Sequence, residues 1–589
     1  MMMTLPRRQL SCLVSILLYH HFAFVAITLC DAFCASTISP STKKQLLQAV
    51  TLTKQSAANI TVAHLACETW GSLLQQENTI TKLNQEIRGM CLVLYGSCLV
   101  RTGRDDQAVA EFQKALELTS LLSPEHRQEA VLGRARALQR LLQYEQAKEQ
   151  FLQLPFVEDA VCGAATCALR IGRVQDSATI LRQFVKSQPL SAGTSQARDM
   201  LQIINILTTG SDAEQSKNNT IIRKDAETPA DPASTSLLYK WVHCIAHKLG
   251  YQPQDVDLSA YQGTTVSYLE LAQLNTSPFD DHLLVNLDDK VLLHKLLSGH
   301  QRHLTRDFWP EGMVDKREVA AANFGDKNND GDDLWIHKAR NGYGSHGNVV
   351  LTSRDARKMA QTTINGESLL QKMVQPALLL QGRKFSLRIY VVYFMGGTKV
   401  GKASPDLHIS SAGLVKMASV QASTSTELNS LDVQVHMTNS GRESEMIQRD
   451  LDYLQHIFET NGWSFQALWS KISRAVRSSL DIYQDTVVFQ TVLSPEYQRL
   501  AQFGIPKIFG FDFVVDEARN PWLIEINRFP GMEARDDSDQ PVKHQVLRDT
   551  WRLASIRANL SDAETTALFG DMLLVDDHLS SCLEPIPQA

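Results

Sequence analysis

The 589-residue sequence predicts an α+β protein in which an all-α helical-repeat domain precedes a larger region of mixed strands and helices. Three observations predict this class. Small and apolar residues recur at helical spacing over residues 41–210, and a polar stretch with two prolines follows at 211–235. Beyond it, runs such as residues 506–532 alternate with the period of two that is typical of strands.

Length and composition indicate how the chain is organised. A chain of this length is expected to hold two or three domains. The net charge of −6 argues against a general nucleic-acid binder, and most of the ten cysteines lie in the first third without zinc-ligand spacing. The sequence divides into a targeting segment, a helical region, a linker, a region of mixed strands and helices and a tail at 1–34, 35–210, 211–235, 236–575 and 576–589.

The N-terminal segment has the features of a targeting sequence. Arg7 and Arg8 precede an apolar run from Leu10 to Cys30, which predicts a signal peptide. A signal anchor is the alternative, because about 20 apolar residues can span a bilayer. Phe33 and the following stretch without Asp or Glu, residues 35–67, resemble the bipartite presequences of algae with complex plastids. A short helical lead-in would also explain the stretch.

Small and aromatic residues recur in the helical third at the offsets of a tetratricopeptide repeat. One unit has Gly96, Ala108, Phe112 and Ala115; less faithful units follow at Ala135, Ala147 and Phe151, and at Gly172, Ala178 and Phe184. Small residues at these offsets let antiparallel helices approach closely. The pattern predicts a tetratricopeptide-like array that either binds a peptide partner in its concave face or packs as an appendage to the rest of the chain.

The chemistry of the mixed region is concentrated in residues 506–532, PKIFGFDFVVDEARNPWLIEINRFPGM. Two apolar runs, Ile508–Val515 and Trp522–Ile526, flank a polar turn, which predicts a β-hairpin. With a four-residue loop, Asp512 would lie directly opposite Glu525. A register slip of one residue would send Glu525 to the other face.

In this register, Asp512, Glu525 and Asn527 present two carboxylates and an amide oxygen on one face of the hairpin. Hard oxygen ligands of this kind suit Mg²⁺ that carries nucleotide phosphates. A solvated sheet face is the alternative. The flanking residues are strongly apolar, and acids in such surroundings are costly without a cation or partner. We expect Glu525→Gln to abolish turnover, and Asp512→Asn to weaken nucleotide binding more than folding.

A glycine-rich motif, DLWIHKARNGYGSHGNVVLTS, lies at residues 333–353. A predicted strand delivers Lys338, a loop carries Gly344 and Gly347, and a second strand, Val349–Thr352, follows. Backbone amides of such a loop can wrap phosphate oxygens, and the lysine can neutralise their charge. Glycine-rich hairpin turns are common, so the motif alone has a structural explanation as well.

A third motif, MVQPALLLQGRKFSLRIYVVYF, lies at residues 373–394. Lys384 and Arg388 are four residues apart in a strand-like run and therefore share a face. They are candidate ligands for an anion, with solvated edge residues as the alternative.

Three further stretches carry weaker patterns. Residues 396–402 have the spacing of a phosphate-binding P-loop, but Ala403 replaces the required Ser or Thr, and we reject that function. The Ser/Thr-rich stretch 403–430 is predicted to be a mobile loop. Basic residues recur at three-residue spacing on a predicted helix, at Lys471, Arg474 and Arg477. They form either a solvated helix face or a contact surface for an acidic tail.

These motifs together resemble the tubulin-tyrosine ligase-like family, which has an ATP-grasp fold. FGFDFVVD followed by PWLIEIN is similar to its closing metal-binding strands. The family's aromatic-Pro-Glu, W-I-x-K-P, G-R-K-F-D-x-R and H-L-T-N elements are matched in order from Phe308, Trp335, Gly382 and His436, with Ala339 for the proline and Ser386 for the Asp. The resemblance covers roughly residues 285–550.

The resemblance implies ATP and Mg²⁺ as cofactors and assigns a role to each candidate residue. It places Arg388 and Glu525 in catalysis, with Arg388 contacting the reacting acyl group. It makes Val374–Leu380 a hinge strand whose backbone meets the adenine edge. The implied metal ligands are Asp512, Glu525 and Asn527, and the implied nucleotide contacts are Lys338, Gly344, Gly347, Gln375, Lys384 and Asp512.

The implied reaction is ATP-dependent ligation of an amino acid to a protein carboxylate through an acyl phosphate. Its expected partners are a free amino acid and an acidic protein tail such as that of tubulin. Tyrosine, glutamate and glycine remain open as the added residue. The alternative is a catalytically inactive nucleotide-binding scaffold that recruits partners through its helical repeats.

The predicted location conflicts with tubulin as the substrate. A cleaved signal, or an anchor with Arg7 and Arg8 on the cytosolic side, would place residues 35–589 in a lumen. We favour the secretory route or a plastid, with membrane contact through the N-terminal segment alone. A later start codon, with a cytoplasmic and microtubule-associated enzyme, is the alternative.

Overall fold

The computed structural model describes residues 40–586 except 56–59, 76–84, 103, 119–121, 188–195, 210–235, 251–265, 278, 280–281, 300–301, 320–332, 341–347, 363, 365, 396–405, 422–430, 432, 437, 439–446, 489–500, 535–536 and 574–580. The predicted targeting segment, linker, glycine loop and P-loop-like stretch lie outside the described residues. Within them, no helix combines the length and apolarity that crossing a bilayer requires. The chain divides into two compact units between Cys167 and Ala168.

The first unit is helical in its described residues. Helix α5 begins where Ser123 caps the helix, accepting a hydrogen bond from the His126 amide, with Pro124 at the first helical position. The helices are α1 Pro40–Gln55, α2 Ile60–Gln75, α3 Gln85–Arg101, α4 Asp105–Glu117, α5 Pro124–Arg140, α6 Tyr144–Phe151 and most of α7 Glu158–Arg170.

Glycines permit the close helix packing of this unit. A Cβ atom at Gly96 or Gly133 would lie 2.8 or 2.4 Å from the ring of Phe112, and one at Gly163 would lie 2.7 Å from the ring of Phe151. Both rings are buried. The predicted helical region is confirmed, and its assignment to tetratricopeptide repeats remains a prediction.

The second unit mixes helices with strands, which confirms the predicted α+β class. Its helices are α8 Val174–Ser187, α9 Gln196–Thr209, α10 Leu237–Lys248, α11 Tyr268–Leu274, α12 Val285–Asp288, α13 Lys290–Ser298, α14 Arg302–Thr305, α15 Lys316–Val319, α16 Ser353–Thr362, α17 Val433–His436, α18 Leu451–Thr460, α19 Phe465–Tyr483, α20 Gln540–Arg557 and α21 Asp562–Phe569. Short 3₁₀ turns lie at His282–Leu284 and Gly570–Leu573, and a π turn at Gln484–Val488.

The strands form two antiparallel sheets. The smaller sheet has the order β1-β4-β2-β3, and the larger has β10-β9-β6-β7-β11, with β5 paired to β6 and β8 to β7. The strands are β1 Gly312–Met313, β2 Leu334–Ala339, β3 Val349–Thr352, β4 Ser368–Lys372, β5 Leu379–Leu380, β6 Arg383–Phe394, β7 Asp406–Met417, β8 Ile447–Asp450, β9 Pro506–Val515, β10 Pro521–Asn527 and β11 Leu583–Pro585.

Helices pack against one face of each sheet. In the smaller sheet, Trp335 and Leu370 pack with Ala356 and Ala360 of α16. In the larger sheet, alternate residues of β6 and β9, such as Phe513, join α18 and α19 in the main core. Because side chains alternate along a strand, the intervening residues of β6 and β9 lie on the opposite face.

Three predictions in this unit are wrong. Most of the predicted mobile loop 403–430 that the structure describes is strand β7, which pairs with β6 along Phe385–Phe394. The predicted hinge strand Val374–Leu380 is regular only at Leu379–Leu380, because the segment bends at Gln375 and Pro376 between β4 and β5. Within the predicted tail 576–589, β11 extends the large sheet.

Candidate functional site

The hairpin of β9 and β10 places the predicted carboxylates opposite each other. Near the turn, Leu523 pairs with Phe513, a register that would put Glu525 opposite Phe511 on the core face. A bulge between Leu523 and Glu525 shifts the pairing by one residue, so that Glu525 pairs with Asp512. The predicted pair is confirmed, whereas the predicted four-residue loop is wrong, since pairing resumes only after the five residues 516–520.

Asp516 organises that longer loop. Its carboxylate accepts hydrogen bonds from the Asn520 amide at 2.7 Å and from the Trp522 indole at 3.0 Å. Arg519 adopts a left-handed backbone conformation at φ 64°. Asp516 is therefore satisfied by the turn.

Asp512 forms a buried ion pair with Arg388 on the adjacent strand β6. The Arg388 Nε and Nη2 donate to the two carboxylate oxygens at 2.5 and 2.7 Å. Burial would raise the pKa of Asp512, but Arg388 and Lys416 more than offset this and hold it below its usual range. Burial would lower the pKa of Arg388, and Asp512 raises it instead. Both groups are therefore ionised at neutral pH.

A third hydrogen-bond acceptor fixes the orientation of the Arg388 guanidinium. Its Nη1 donates to the Pro530 carbonyl at 3.0 Å. Ser386, which stands where the family pattern has an Asp, instead lies with its Oγ 2.6 Å from the Thr438 Oγ1. The missing acid does not leave the arginine unsupported, because Asp512 and Pro530 hold it.

Lys338 extends from β2 of the smaller sheet to β10 of the larger sheet. Its Nζ donates to the Gln371 Oε1 at 2.8 Å and to the Ile524 carbonyl at 3.1 Å. Burial lowers the pKa of Lys338 to about 8, although Glu525 and Asp512 oppose the shift. A phosphate group at this point would restore the preference for the charged ammonium.

Lys384 lies on the same face of β6 as Arg388. Its Nζ is 2.6 Å from the His436 Nδ1. Burial lowers the pKa of Lys384 to about 8. The H-M-T-N segment therefore approaches β6 at two points, with His436 on Lys384 and Thr438 on Ser386.

The remaining predicted nucleotide contacts are Gln375, Gly344 and Gly347. Gln375 is near the hinge, but its Oε1 accepts a hydrogen bond from the Leu334 amide at 2.8 Å, which gives it a role in joining the hinge to β2. Gly344 and Gly347 lie outside the described residues. Among the three basic residues of α19, Lys471 and Arg474 are exposed, whereas Arg477 is buried against Asp481.

Five polar residues near the site were missed by sequence reasoning. Gln371 is buried and directs its Oε1 to Lys338, while its Nε2 has no hydrogen-bond partner among the described residues. A lone polar residue inside an apolar strand is the signal that could have identified Gln371 and Lys416. The others are Lys290, which lowers the pKa of Lys338, and Asp288 and Arg528, which are joined by a hydrogen bond from the Arg528 amide.

A cleft of about 320 Å³ opens beside the hinge. Its lining includes Trp309, Met373, Val374, Asp516 and Trp522. Along their strands, the last two lie four and three residues from Asp512 and Glu525, which is roughly 10–13 Å at the rise of a strand. Trp522 pairs with Val514, which is two residues from Asp512 and shares its face, so this part of the cleft lining lies on the face of the carboxylate pair and nearer to the turn.

The donor set suits a hard divalent cation. The Asn527 Nδ2 donates to Asp512 at 3.3 Å, so its amide oxygen is left to face a ligand. The Asp512 Oδ1 keeps a second lone pair beside its bond from Arg388, whereas Oδ2 accepts from both Arg388 and Asn527. Among the described residues no group of three or more His, Cys, Asp and Glu has metal-binding geometry, so the candidate set remains two carboxylates and one amide.

The chain is similar to known proteins over this region. Residues 284–564 match the model of the tubulin-tyrosine ligase family. Tubulin polyglutamylase TTLL7 of Xenopus tropicalis is 26% identical over 239 residues, 38% of this chain and 25% of that protein. Tubulin monoglutamylase TTLL4 of Mus musculus is 29% identical over 208 residues, 33% of this chain and 17% of that protein. The chain thus spans a quarter or less of these relatives.

Proposed function

We propose that this chain, which matches the model of the tubulin-tyrosine ligase family over residues 284–564, is an ATP-dependent ligase that joins an amino acid to a protein carboxylate. The observation that carries the proposal is the register of β9 and β10. It places Glu525 opposite Asp512, next to the ionised Arg388. An oxygen donor set and a fixed cation thus meet at one point on the sheet.

The nucleotide would lie along the face that joins the cleft to the carboxylates. The cleft has a mixed lining, and its apolar and aromatic members, which include Met373, Val374 and Trp309, suit a purine base. Lys338 and Lys384 would bind phosphate oxygens, and the Gln371 Nε2 would donate a hydrogen bond to the nucleotide. Mg²⁺ held by Asp512, Glu525 and Asn527 would offset charge on the phosphates when bound.

The chain's own residues would then support two steps. A substrate carboxylate oxygen attacks the terminal phosphorus of ATP, and ADP leaves as an acyl phosphate forms. The amino group of the incoming residue attacks the acyl carbon, phosphate leaves, and the nitrogen loses a proton as the amide bond forms. Arg388, held by Asp512 and Pro530, would stabilise charge on the acyl phosphate without reorganising.

We propose an acidic protein tail as the acceptor and glutamate as the first amino acid to test. The relatives named above are a tubulin polyglutamylase and a tubulin monoglutamylase. The site face also carries the buried cations Lys384, Arg388 and Lys416. Their positive charge favours acidic substrates over neutral ones.

The test is ADP release by the full-length protein with ATP, Mg²⁺, tubulin or an acidic peptide, and each of glutamate, glycine and tyrosine. A ligase requires both acceptor and amino acid, and mass spectrometry must detect the added residue. Glu525→Gln should abolish the signal. Glu459→Gln, which changes an exposed carboxylate of α18, should not. Magnesium-ATP binding without turnover on any acceptor would instead favour the scaffold.

A further inference from the structure

The loop that follows β10 connects the metal-binding strand to Arg388. It runs through Arg528, Phe529 and Pro530. The Arg528 amide donates to the Asp288 carboxylate at 3.1 Å, and the Pro530 carbonyl accepts from Arg388 at 3.0 Å. The backbone on both sides of Phe529 is therefore fixed to groups of the site.

Phe529 itself lies among cations. The Lys507 Nζ is 4.1 Å and the Arg170 Cζ 4.8 Å from the ring centroid, and the Arg528 Cζ is at 5.3 Å. Lys507 and Arg170 are only 4% and 6% exposed. The attraction between a cation and an aromatic face is strongest where water is excluded. The ring is thus held on a buried cationic surface.

Backbone carbonyls fix that surface in turn. Lys507 donates to the Asn275 carbonyl at 2.6 Å, and Arg170 donates to the Thr276 and Ser277 carbonyls at 3.0 and 2.9 Å. The Asn275 side chain accepts from the Ile508 amide and donates to the Ile508 carbonyl. The cations under Phe529 are therefore tied to the beginning of β9, the strand that carries Asp512.

Close packing links the loop to the arginine. A Cβ atom at Gly510 would lie 2.8 Å from both the Pro530 Cβ and the Arg388 Cδ. Pro530 and Arg388 therefore pack against the bare backbone of Gly510. A displacement of the Phe529 ring would move the adjacent Pro530 carbonyl and change the direction of Arg388.

We propose that Phe529 is a positioning residue for this reaction. Its ring, held by Lys507 and Arg170, fixes the orientation of the Arg388 guanidinium and of the Asn527 side chain. The proposal rests on the proposed ligase function.

The test compares Phe529→Leu, which keeps an apolar side chain without an aromatic face, with Phe529→Tyr, which keeps the face. Phe529→Leu should lower kcat about tenfold while the KM for the amino acid changes less than twofold, and Phe529→Tyr should retain at least half of kcat. Arg557→Met removes the cation over Phe394, 4.3 Å from that ring, and is the matched control with unchanged kcat.

Two outcomes of the activity assay would overturn the proposal. One is a Phe529→Leu enzyme with normal kcat. The other is a loss of activity that only follows the folded fraction, measured by circular dichroism, with Phe529→Tyr equally impaired. If the wild type has no ligase activity, the positioning role is tested by measuring how tightly the wild type and the variant bind a non-hydrolysable ATP analogue with Mg²⁺. Phe529→Leu should then weaken binding several-fold through Asn527, and unchanged binding would refute the positioning role.

Discussion

Asp512→Asn should destabilise the fold as well as nucleotide binding, which revises the expectation from the sequence. The substitution keeps the size of the side chain but removes its charge. Arg388 and Asp512 are 9% and 3% exposed as side chains. The guanidinium would therefore remain buried without its carboxylate, and one amide oxygen would replace two carboxylate oxygens as acceptor beside the Pro530 carbonyl.

The size of the expected loss of stability follows from the burial of the ion pair. Removing one partner of a buried, hydrogen-bonded ion pair costs about 3–5 kcal/mol. Glu525→Gln makes the same chemical change at the opposing position of the hairpin, where the side chain is only partly buried. It should change stability by roughly 0.5 kcal/mol or less. The difference between the free energies of unfolding of the two variants therefore measures what the ion pair contributes to stability.

Urea unfolding of both variants, followed by tryptophan fluorescence, provides the comparison. We expect Asp512→Asn to unfold at a clearly lower urea concentration than Glu525→Gln and the wild type. The double variant Asp512→Leu, Arg388→Met should recover much of the loss, because no unpaired charge remains. Equal midpoints for the two single variants would refute the argument that Asp512 supports the fold through Arg388.

Three further outcomes are expected. Glu525→Gln should remove turnover with the fold intact, as seen by ADP release beside circular dichroism; near-normal rates would show that the carboxylate pair is not the site. Because burial lowers the pKa values of Lys338 and Lys384 to about 8, their charges are lost above that pH, and the KM for ATP should rise between pH 7 and 9.5 rather than remain constant. A fluorescent fusion to residues 1–70 should enter the secretory route or a plastid, and diffuse cytosolic fluorescence would restore tubulin as the simplest acceptor.

Local patterns predicted the elements whose residues alternate without interruption. Strand β3 has the predicted bounds Val349–Thr352, and β9 extends its prediction by two residues. Strand β7 was missed because Ser410 and Ser411 interrupt its apolar pattern. In the structure the Ser410 hydroxyl accepts from the Ala412 amide, and the Ser411 amide donates to the Cys582 carbonyl. A partner 171 residues away in the sequence leaves no local signal.

The candidate site residues could be picked out of the sequence because charged residues inside apolar runs are conspicuous. Asp512, Arg388 and Lys338 were all found in this way. Their direct partners were not, since an ion pair between strands β6 and β9 depends on a pairing that brings together residues 124 positions apart. Asp512 was accordingly predicted as a metal ligand and a nucleotide contact, although it also neutralises the buried Arg388.

The bulge in β10 explains why the predicted carboxylate pair was correct although the loop was not. A loop longer by one residue shifts the pairing in one direction, and the extra residue Ile524 shifts it back. Ile524 also has a function that a regular ladder would not provide, because its carbonyl accepts the hydrogen bond from Lys338. The bulge thus keeps Glu525 on the face of Asp512 and also attaches the lysine of the smaller sheet to the larger one. Both effects bring the groups proposed to bind phosphate and metal to the same point.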